Sequence, residues 1–382
     1  MLDSDSLMAQ AKQLTGYSDF GDPQFKAPLA VLVAAINTEA QLTKAGLIGA
    51  EQRLLSNLVT RLNVEASYKK HPEINNEPID VAAVIVGLPR TGTTMLHRVM
   101  SSDPQFLFPT FYESRFPSAP PDWDFSGEDP RIEAIEQEIK MILEGSPELA
   151  SVHPWQARGA EEEVMMLENS FFSTVPEAYY HVPSYAKWLD EHDNRPGYEY
   201  LERMLKLLQW QKKKTGATAT RWLLKTPHHL HHMDILLSIF PNATIIQTHR
   251  DPLQTIPSLV SFNRYLFGLG SDCVDLPELA RHWSEKFANG MRKTLAVRDR
   301  YPERFIDVDY RDTAKRPEQV IDAIYQAMGM TLTDTARAAM AQWQRDNPRD
   351  ARPPHEYTLE EFGFTEQYLA DLFGEYRTRH VS

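Results

Sequence analysis

At 382 residues, 42% of them hydrophobic, the chain is long enough to bury a sizeable core in one large domain with an appendage or in two domains. The formal net charge is -13, which provides no basic stripe to neutralise a phosphate backbone, so we expect no nucleic-acid partner. The single cysteine, Cys273, excludes an intramolecular disulfide and a cysteine-based metal cluster.

Residues 1–76 are predicted to form a helical N-terminal lobe, because apolar residues recur there at helical spacing and no strand pattern occurs. The longest apolar run near the N-terminus, residues 27–36, contains a proline and is too short to cross a bilayer. With an acidic and polar start in place of a signal peptide, the sequence predicts no membrane span and a cytoplasmic location. The mostly polar segment 71–78 marks the boundary to a second domain, predicted over residues 77–382.

A strand, a glycine-containing loop and a helix start follow this boundary. Residues 81–86 are apolar and mostly β-branched, which predicts a buried parallel strand, and residues 93–100 have helical character. The glycines of the loop, Gly87 and Gly92, have the spacing of a Walker A loop. In such an arrangement loop N–H groups and the positive end of the helix dipole converge on a phosphate.

One position departs from the Walker pattern, because Thr93 stands where a triphosphate-binding loop has its lysine. Two consecutive hydroxyl groups, on Thr93 and Thr94, and a cation inside the loop, Arg90, take its place. The loop therefore suits a single phosphate at the end of a nucleotide better than a triphosphate with its magnesium ion. A plain strand–turn–helix is the alternative that the glycine spacing alone leaves open.

An aromatic-rich insertion around residues 110–195 comes next. It follows a short possible strand at 106–108 and includes an amphipathic helix at 131–144 and an apolar helix from Glu161 to Phe172. We expect this insertion to be a lid over an apolar acceptor, although the same aromatic side chains could equally be core. The side chains concerned are Phe171, Phe172, Tyr179, Tyr180, Tyr185 and Trp188.

The remainder of the chain alternates strands with helices. Strands are predicted at 222–224, 243–248 and 305–308, and helices at 198–214, 227–239 and 318–328. This alternation indicates an α/β fold with a central parallel sheet covered on both faces. Ligands of such sheets lie outside the carboxyl ends of the strands. Four strands run into a polar residue at that end, namely Arg90, Lys225, Arg250 and Tyr310.

Two of these strand ends carry motifs that resemble a known family. Residues 87–94 read Gly-Leu-Pro-Arg-Thr-Gly-Thr-Thr, and residues 249–258 read His-Arg-Asp-Pro followed by five residues and Ser. The pair resembles the two cofactor signatures of sulfotransferases that use 3′-phosphoadenosine 5′-phosphosulfate (PAPS), and it is most similar to the bacterial group related to tyrosylprotein sulfotransferases. The resemblance covers roughly residues 78–364 and implies a P-loop-like three-layer fold without the P-loop lysine.

The resemblance also implies roles for individual residues. Arg250 and Ser258 would bind the 3′-phosphate of PAPS, Lys225 matches a basic residue near the transferred group, and Tyr310 matches a tyrosine that borders the nucleotide. The C-terminal segment 352–357 stands where the family has a cofactor-covering loop, which assigns His355 and Tyr357 to the cofactor. The 5′-phosphosulfate would be bound by the loop residues Pro89, Arg90, Thr91, Gly92, Thr93 and Thr94.

Sulfuryl transfer to a hydroxyl group or an amine requires a general base, which in this family is a histidine or a glutamate. Glu113 is the first candidate, because it follows the short strand where the tyrosylprotein-type enzymes place a glutamate. Glu161 is the second, because it lies three and four positions before apolar residues, although Glu162 and Glu163 share that property. His228, the histidine nearest Lys225 in the sequence, is a candidate for contact with the acceptor.

Three alternatives accompany this prediction. A nucleotide kinase or NTPase on the same scaffold is disfavoured by Thr93 and by the absence of an obvious strand ending in aspartate. A non-catalytic nucleotide-binding module leaves Lys225 and Glu113 unexplained. A metal site among the neighbouring histidines 228, 229, 231 and 232 lacks a supporting cysteine pair or Glu-His motif, so we expect no metal. The expected partners are a small-molecule or lipid-like acceptor and a second copy of the chain in a homodimer.

Overall fold

The computed structural model describes residues 1–145, 155–347 and 359–381. Its centre is a five-stranded sheet in the order β2-β3-β1-β4-β5, in which every pair of neighbours is parallel. The parallel α/β prediction is confirmed, and each predicted strand has a counterpart. The strands are β1 (Asp80–Gly87), β2 (Phe106–Leu107), β3 (Arg221–Lys225), β4 (Thr244–His249) and β5 (Phe305–Asp309).

Helices cover both faces of the sheet, and among the described residues none is long and apolar enough to cross a membrane. They are α1 (Ser4–Thr15), α2 (Lys26–Thr38), α3 (Lys44–Lys70), α4 (Thr93–Met100), α5 (Phe111–Arg115), α6 (Pro130–Gly145), α7 (Val164–Glu168), α8 (Val175–Tyr179), α9 (Pro183–Glu191), α10 (Arg195–Lys214), α11 (Met233–Ile239), α12 (Pro252–Gly268), α13 (Leu276–Arg300), α14 (Tyr310–Lys315), α15 (Pro317–Ala327), α16 (Asp334–Asp346), α17 (Glu366–Leu372) and α18 (Gly374–His380).

The central strand β1 is buried on both faces, as its continuous apolar run predicts. Successive side chains of a strand point to opposite faces. Ala83 and Ile85 accordingly belong to one apolar cluster, and Val84 and Val86 to the larger one on the other face. The strand order places β1 between β3 and β4, so the carboxyl ends of these three strands meet at one edge of the sheet. Such an edge is where ligands of open α/β sheets bind.

The aromatic insertion packs against the N-terminal helices. Phe171, Phe172, Tyr180 and Tyr185 are buried in one apolar cluster with side chains of α1, α2 and α3. The core alternative therefore describes these four aromatic residues, and they do not form a free wall for an acceptor. The two remaining aromatic residues, Tyr179 and Trp188, pack partly buried against the same cluster.

Two helices differ from their predicted lengths. The apolar segment predicted to be helical up to Phe172 contains only α7, because Phe171 adopts a left-handed conformation with φ of 64° that ends the helical path. The segment predicted as one helix at 227–239 is a 3-10 turn over Pro227–His231 followed by α11, because His232 leaves helical geometry at φ -138° and ψ 35°.

Candidate active site

The loop between β1 and α4 is held against β4 by a close backbone approach. A Cβ atom on Gly87 would lie 2.3 Å from Thr248 Oγ1, so only glycine fits there. Thr91, which is buried, donates its hydroxyl hydrogen to the Leu88 carbonyl at 2.7 Å, and its Oγ1 lies 2.6 Å from Thr248 Oγ1. The Thr91 side chain is thus used to hold the loop, which leaves ligand contact to its backbone N–H.

Two loop residues adopt left-handed backbone conformations that shape the anion cradle. Arg90 has φ of 71° and Gly92, the N-cap of α4, has φ of 83°. The first backbone hydrogen bond of α4 runs from Leu96 N to Gly92 O, so the amides of Thr93 and Thr94 precede the helical hydrogen-bond pattern. These N–H groups and the positive end of the helix dipole are available to an anion at the loop.

The arginines of the two motifs meet at this loop. Arg250 donates from Nη1 to the carbonyl of Arg90 at 3.0 Å, and Arg90 donates from Nε to Ser258 Oγ at 3.2 Å. The guanidinium of Arg250 also lies over the Tyr310 ring, 4.3 Å from its centroid. A Cβ on Gly92 would come 3.0 Å from the same ring. The structure therefore brings together the residues that the sequence predicted at three separate strand ends.

Lys225 contacts the loop from the end of β3. Its fully buried side chain extends from the end of β3 and places Nζ 3.3 Å from Thr94 Oγ1 and 2.5 Å from Glu162 Oε1. The second carboxylate oxygen of Glu162 accepts the Thr226 hydroxyl hydrogen at 3.0 Å. The Glu162 side chain is 24% exposed, so it faces solvent as well as Lys225. Arg90, Lys225 and Arg250 together with the N-terminus of α4 make this edge of an acidic protein locally positive.

A buried carboxylate binds the backbone of Lys225. Glu163 accepts a hydrogen bond from the Lys225 backbone N–H at 2.9 Å, and its other oxygen lies 2.6 Å from His229 Nε2. His229 Nδ1 is in turn 2.8 Å from the Tyr198 hydroxyl. Burial raises the pKa of Glu163, but the hydrogen bond and charge of His229 and the Lys225 N–H outweigh it and hold that pKa below its usual value. This network fixes the end of β3 relative to the glutamate run 161–163.

The two glutamates predicted as general bases lie in different environments. Glu113 forms a capping box with Thr110, whose N–H and hydroxyl donate to it at 2.9 and 2.8 Å, and it pairs with Lys212 at 2.7 Å. Lys212 is in the last turn of α10, and in the described part of the chain neither it nor Glu113 is hydrogen-bonded to the loop 87–94 or to Lys225. The structure thus places Glu113 in a buried cap and not beside Lys225.

Glu161 is buried next to α4 without being part of a helix. Its Oε1 accepts the N–H of Glu162 at 3.0 Å, and its Oε2 lies 3.9 Å from Arg98 Nη2. The neighbouring residue Glu162, which the sequence argument did not single out, is the one that contacts Lys225 and Thr226. The run of three glutamates was the available signal, but choosing among them requires the path of an irregular segment.

The histidines after β3 are buried, and among the described residues no group of three or more potential metal ligands includes them. His228 Nδ1 lies 3.1 Å from Thr174 Oγ1, whereas Nε2 has no hydrogen-bond partner among the described residues. Burial lowers the pKa of His228 well below its usual value, and the neighbouring histidines lower it further. A neutral imidazole that resists protonation is a poor general base near neutrality, which leaves His228 a candidate for acceptor contact only.

A second histidine cluster lies at the end of β4. His249 Nε2 is 2.7 Å from Asp307 Oδ1, and the rings of His249 and His380 are stacked at 4.6 Å with an interplanar angle of 6°. A metal ion lies in the plane of a ligating imidazole, and two parallel stacked rings share no such plane. The cluster is therefore a poor metal site in this arrangement. The predicted cofactor contacts His355 and Tyr357 lie outside the described residues.

Comparison with known proteins identifies relatives over most of the chain. Residues 83–334 match the model of the sulfotransferase family. Omega-hydroxy-beta-dihydromenaquinone-9 sulfotransferase Stf3 of Mycobacterium tuberculosis is 23% identical over 312 residues, which cover 78% of this chain and 75% of Stf3. The crystal structure of sulfotransferase STF1 from M. tuberculosis is 30% identical, has a TM-score of 0.86 and is matched over 98% of this chain and 99% of STF1. Sulfotransferase STF9 from M. avium is 28% identical with a TM-score of 0.89, over 99% of this chain and 97% of STF9.

Proposed function

The chain belongs to the sulfotransferase family, and from that premise we propose that it transfers the sulfuryl group of PAPS to a hydroxyl group of a lipid-like or amphipathic acceptor. One observation carries the proposal. The phosphate-type loop carries Arg90 and has Thr93 in place of the lysine of triphosphate-binding loops. Lys225 and Arg250 contact this loop from the ends of the two neighbouring strands.

The donor set of the site fits a nucleotide with two separate anionic groups. Residues 89–94 offer backbone N–H groups and the hydroxyl groups of Thr93 and Thr94 to the 5′ end of the cofactor. Arg250 and Ser258 lie on the side towards α12 and would hold the 3′-phosphate, since a guanidinium and a hydroxyl are strong donors to phosphate. The Tyr310 ring, packed on Arg250 and against Gly92, would border the nucleotide. When bound, PAPS supplies the activated sulfuryl group.

Lys225 and Glu162 are the pair that we assign to the chemistry. The Lys225 ammonium, which is buried beside Thr94, would stabilise the negative charge that develops on the leaving oxygen of bound PAPS, and its burial would strengthen that interaction. A Glu162 carboxylate oxygen accepts the proton of the acceptor hydroxyl, because among the three glutamates 161–163 only Glu162 is both in contact with Lys225 and partly open to solvent. In this proposal Glu162 replaces Glu113 and Glu161 as general base.

The proposed acceptor class rests on the named relative. Stf3 is, by its name, a sulfotransferase of a hydroxylated dihydromenaquinone, which is a lipid-like alcohol. The acidic net charge of this chain also disfavours a heavily anionic acceptor such as a charged polysaccharide. A cytoplasmic location, a homodimer and PAPS as donor without a metal stay predictions. A kinase or NTPase is the second candidate. The loop lacks the lysine of such enzymes, and β4 runs into His249-Arg250 where they have a strand ending in aspartate, so both features count against it.

A transfer assay with PAPS labelled in its sulfuryl group tests this function. We expect label to move to a prenylated quinone that bears a terminal hydroxyl group and not to the matched quinone without that hydroxyl. Equal labelling of both compounds would exclude the alcohol as acceptor. Transfer of label from γ-labelled ATP with magnesium, in place of PAPS, would overturn the proposed reaction and favour the kinase.

A further inference from the structure

The C-terminal helix α18 contacts His249 and Asp251, the two residues on either side of Arg250. The His380 ring stacks on His249 at 4.6 Å, and the Tyr376 hydroxyl lies 3.2 Å from His249 Nδ1. Arg377 donates from Nε and Nη2 to the two carboxylate oxygens of Asp251, each at 3.1 Å. Helix α18, which is more than 120 residues further along the chain, thus holds the residues around Arg250.

The Arg250 side chain is held by other parts of the molecule. Its Nη1 donates to the carbonyl of Arg90, its Nε donates to Gln254 Oε1 at 3.0 Å, and its guanidinium lies over Tyr310. The residues on both sides of Arg250 are therefore held by α18, while the Arg250 side chain is oriented by the loop and by the first turn of α12. A guanidinium that binds a phosphate gains from such fixation, because less orientational freedom is lost on binding.

Asp251 connects the same contacts to Ser258. Besides accepting from Arg377, Asp251 is the N-cap of α12 and accepts the Leu253 N–H at 3.1 Å. Ser258 is in the second turn of α12, so the start of that helix fixes its distance from Arg250. Rotation of the Asp251 carboxylate would move the two expected 3′-phosphate ligands relative to each other.

The Arg377–Asp251 pair contributes more to orientation than to folding stability. The two side chains are 31% and 24% exposed, and ion pairs that accessible to solvent typically contribute only about 0–1 kcal/mol to stability. Their geometry is specific, however, because two parallel N–H···O bonds fix the plane of the carboxylate. Loss of the pair should therefore alter the position of the Arg250 segment while the fold persists.

We propose that Arg377 and Tyr376 are positioning residues for the 3′-phosphate, so that the C-terminal helix sets the selectivity of the site for a 3′-phosphorylated nucleotide. The inference rests on the proposed function, in which Arg250 and Ser258 bind that phosphate. Neither residue touches the nucleotide in this proposal. Arg377 acts through Asp251, and Tyr376 acts through His249, which directly precedes Arg250.

Calorimetric titration of the full chain with adenosine 3′,5′-bisphosphate and with AMP tests the proposal. For Arg377→Ala we expect the bisphosphate affinity to fall about five- to tenfold with AMP affinity unchanged, the size of a weakened charge-assisted contact. Tyr376→Phe, which keeps the ring and removes the hydroxyl, should give a smaller change in the same direction. The matched control is Arg379→Ala on the same helix, whose partners Asp299 and Glu375 are apart from residues 249–251, and it should leave both affinities unchanged.

An equal loss of both affinities in Arg377→Ala, or no loss of either, would overturn the positioning role. Thermal unfolding of each variant, compared with the wild type, shows whether the fold is intact at the temperature of titration. Failure of the proposed function gives a different result, because the wild-type protein itself would then bind the bisphosphate no more tightly than AMP. A wild type that prefers the bisphosphate, with an Arg377→Ala variant that keeps the full preference, would contradict the inference alone.

Discussion

Replacement of Lys225 with glutamine is expected to lower kcat about 10²–10³-fold, the loss typical of removing one preorganised charge from an active site. Lys225 Nζ lies in a buried position between Thr94 and Glu162, and no other lysine contacts the loop in the part of the chain that the structure describes. Glutamine retains a hydrogen-bond donor of similar reach and removes the charge. The effect should therefore fall on kcat more than on the KM for PAPS, because the charge acts mainly on the transition state.

The matched control is Lys212→Gln. Lys212 also pairs with a buried glutamate, Glu113, at 2.7 Å, but it lies in the last turn of α10 and makes no hydrogen bond to the loop 87–94 among the described residues. Both substitutions thus break a lysine–glutamate pair, and only one of them removes a charge from the proposed site. Steady-state kinetics on both purified variants would decide. A fall in kcat of less than about threefold in Lys225→Gln, or equal losses in the two variants, would remove Lys225 from the chemistry.

Replacement of Glu162 with glutamine should lower kcat about 10²–10⁴-fold, the usual contribution of a positioned general base, while the affinity for adenosine 3′,5′-bisphosphate stays near the wild-type value. The amide oxygen can still accept from Lys225 Nζ, and the amide nitrogen can donate to the Thr226 hydroxyl oxygen, so the local structure is retained. What it loses is the capacity to take a proton from the acceptor.

Glu113→Gln is the informative companion, because Glu113 was the first candidate for the base. The amide oxygen can keep the two hydrogen bonds from Thr110, while the ion pair with Lys212 is lost, so this variant should unfold at a lower temperature with near-normal turnover below it. If Glu113→Gln loses turnover while Glu162→Gln retains it, the assignment of the base to Glu162 is wrong. Single-turnover measurements at saturating PAPS separate this chemical step from product release.

The sheet and the meeting of its polar strand ends could be predicted because their signals are local. Buried parallel strands appear as short apolar runs, and the carboxyl ends of such strands meet, which is why Arg90, Lys225 and Arg250 were expected together. The structure brings these residues and Ser258 to one edge. Thr93 was a local signal of the same kind, because it stands at the single loop position where triphosphate-binding loops have their lysine.

Glu162, the residue proposed as base, could not be singled out in the same way, because it lies on a segment with no periodic pattern. Glu161, Glu162 and Glu163 point to three different environments, namely Arg98, Lys225 and His229. Neighbouring side chains diverge in this way in irregular chain, and no spacing rule identifies which one reaches the site. Glu113 stays a candidate that the sequence suggested, but its carboxylate is satisfied locally by a capping box with Thr110, which the sequence spacing of three also fits.

The aromatic insertion and the C-terminal helix depended on contacts that are distant in sequence. Phe171 and Tyr185 pack on helices α1–α3, so a cluster that suggested an acceptor wall is core. Arg377 contacts Asp251 across 126 residues, and nothing in the sequence around either residue indicates the pair. Both features follow from how whole helices pack, which single-sequence patterns do not specify.

The central claim is that this loop and Arg250 bind a nucleotide with a 3′-phosphate, and ligand binding to the wild-type chain tests it most directly. Calorimetry would compare adenosine 3′,5′-bisphosphate, AMP and ATP with magnesium, in the wild type and in Arg250→Ala. We predict that the bisphosphate binds the wild type at least about tenfold more tightly than AMP, as one charge-assisted phosphate contact would provide, and more tightly than ATP with magnesium. Arg250→Ala should remove the preference over AMP. Tighter binding of ATP with magnesium than of the bisphosphate would contradict the account.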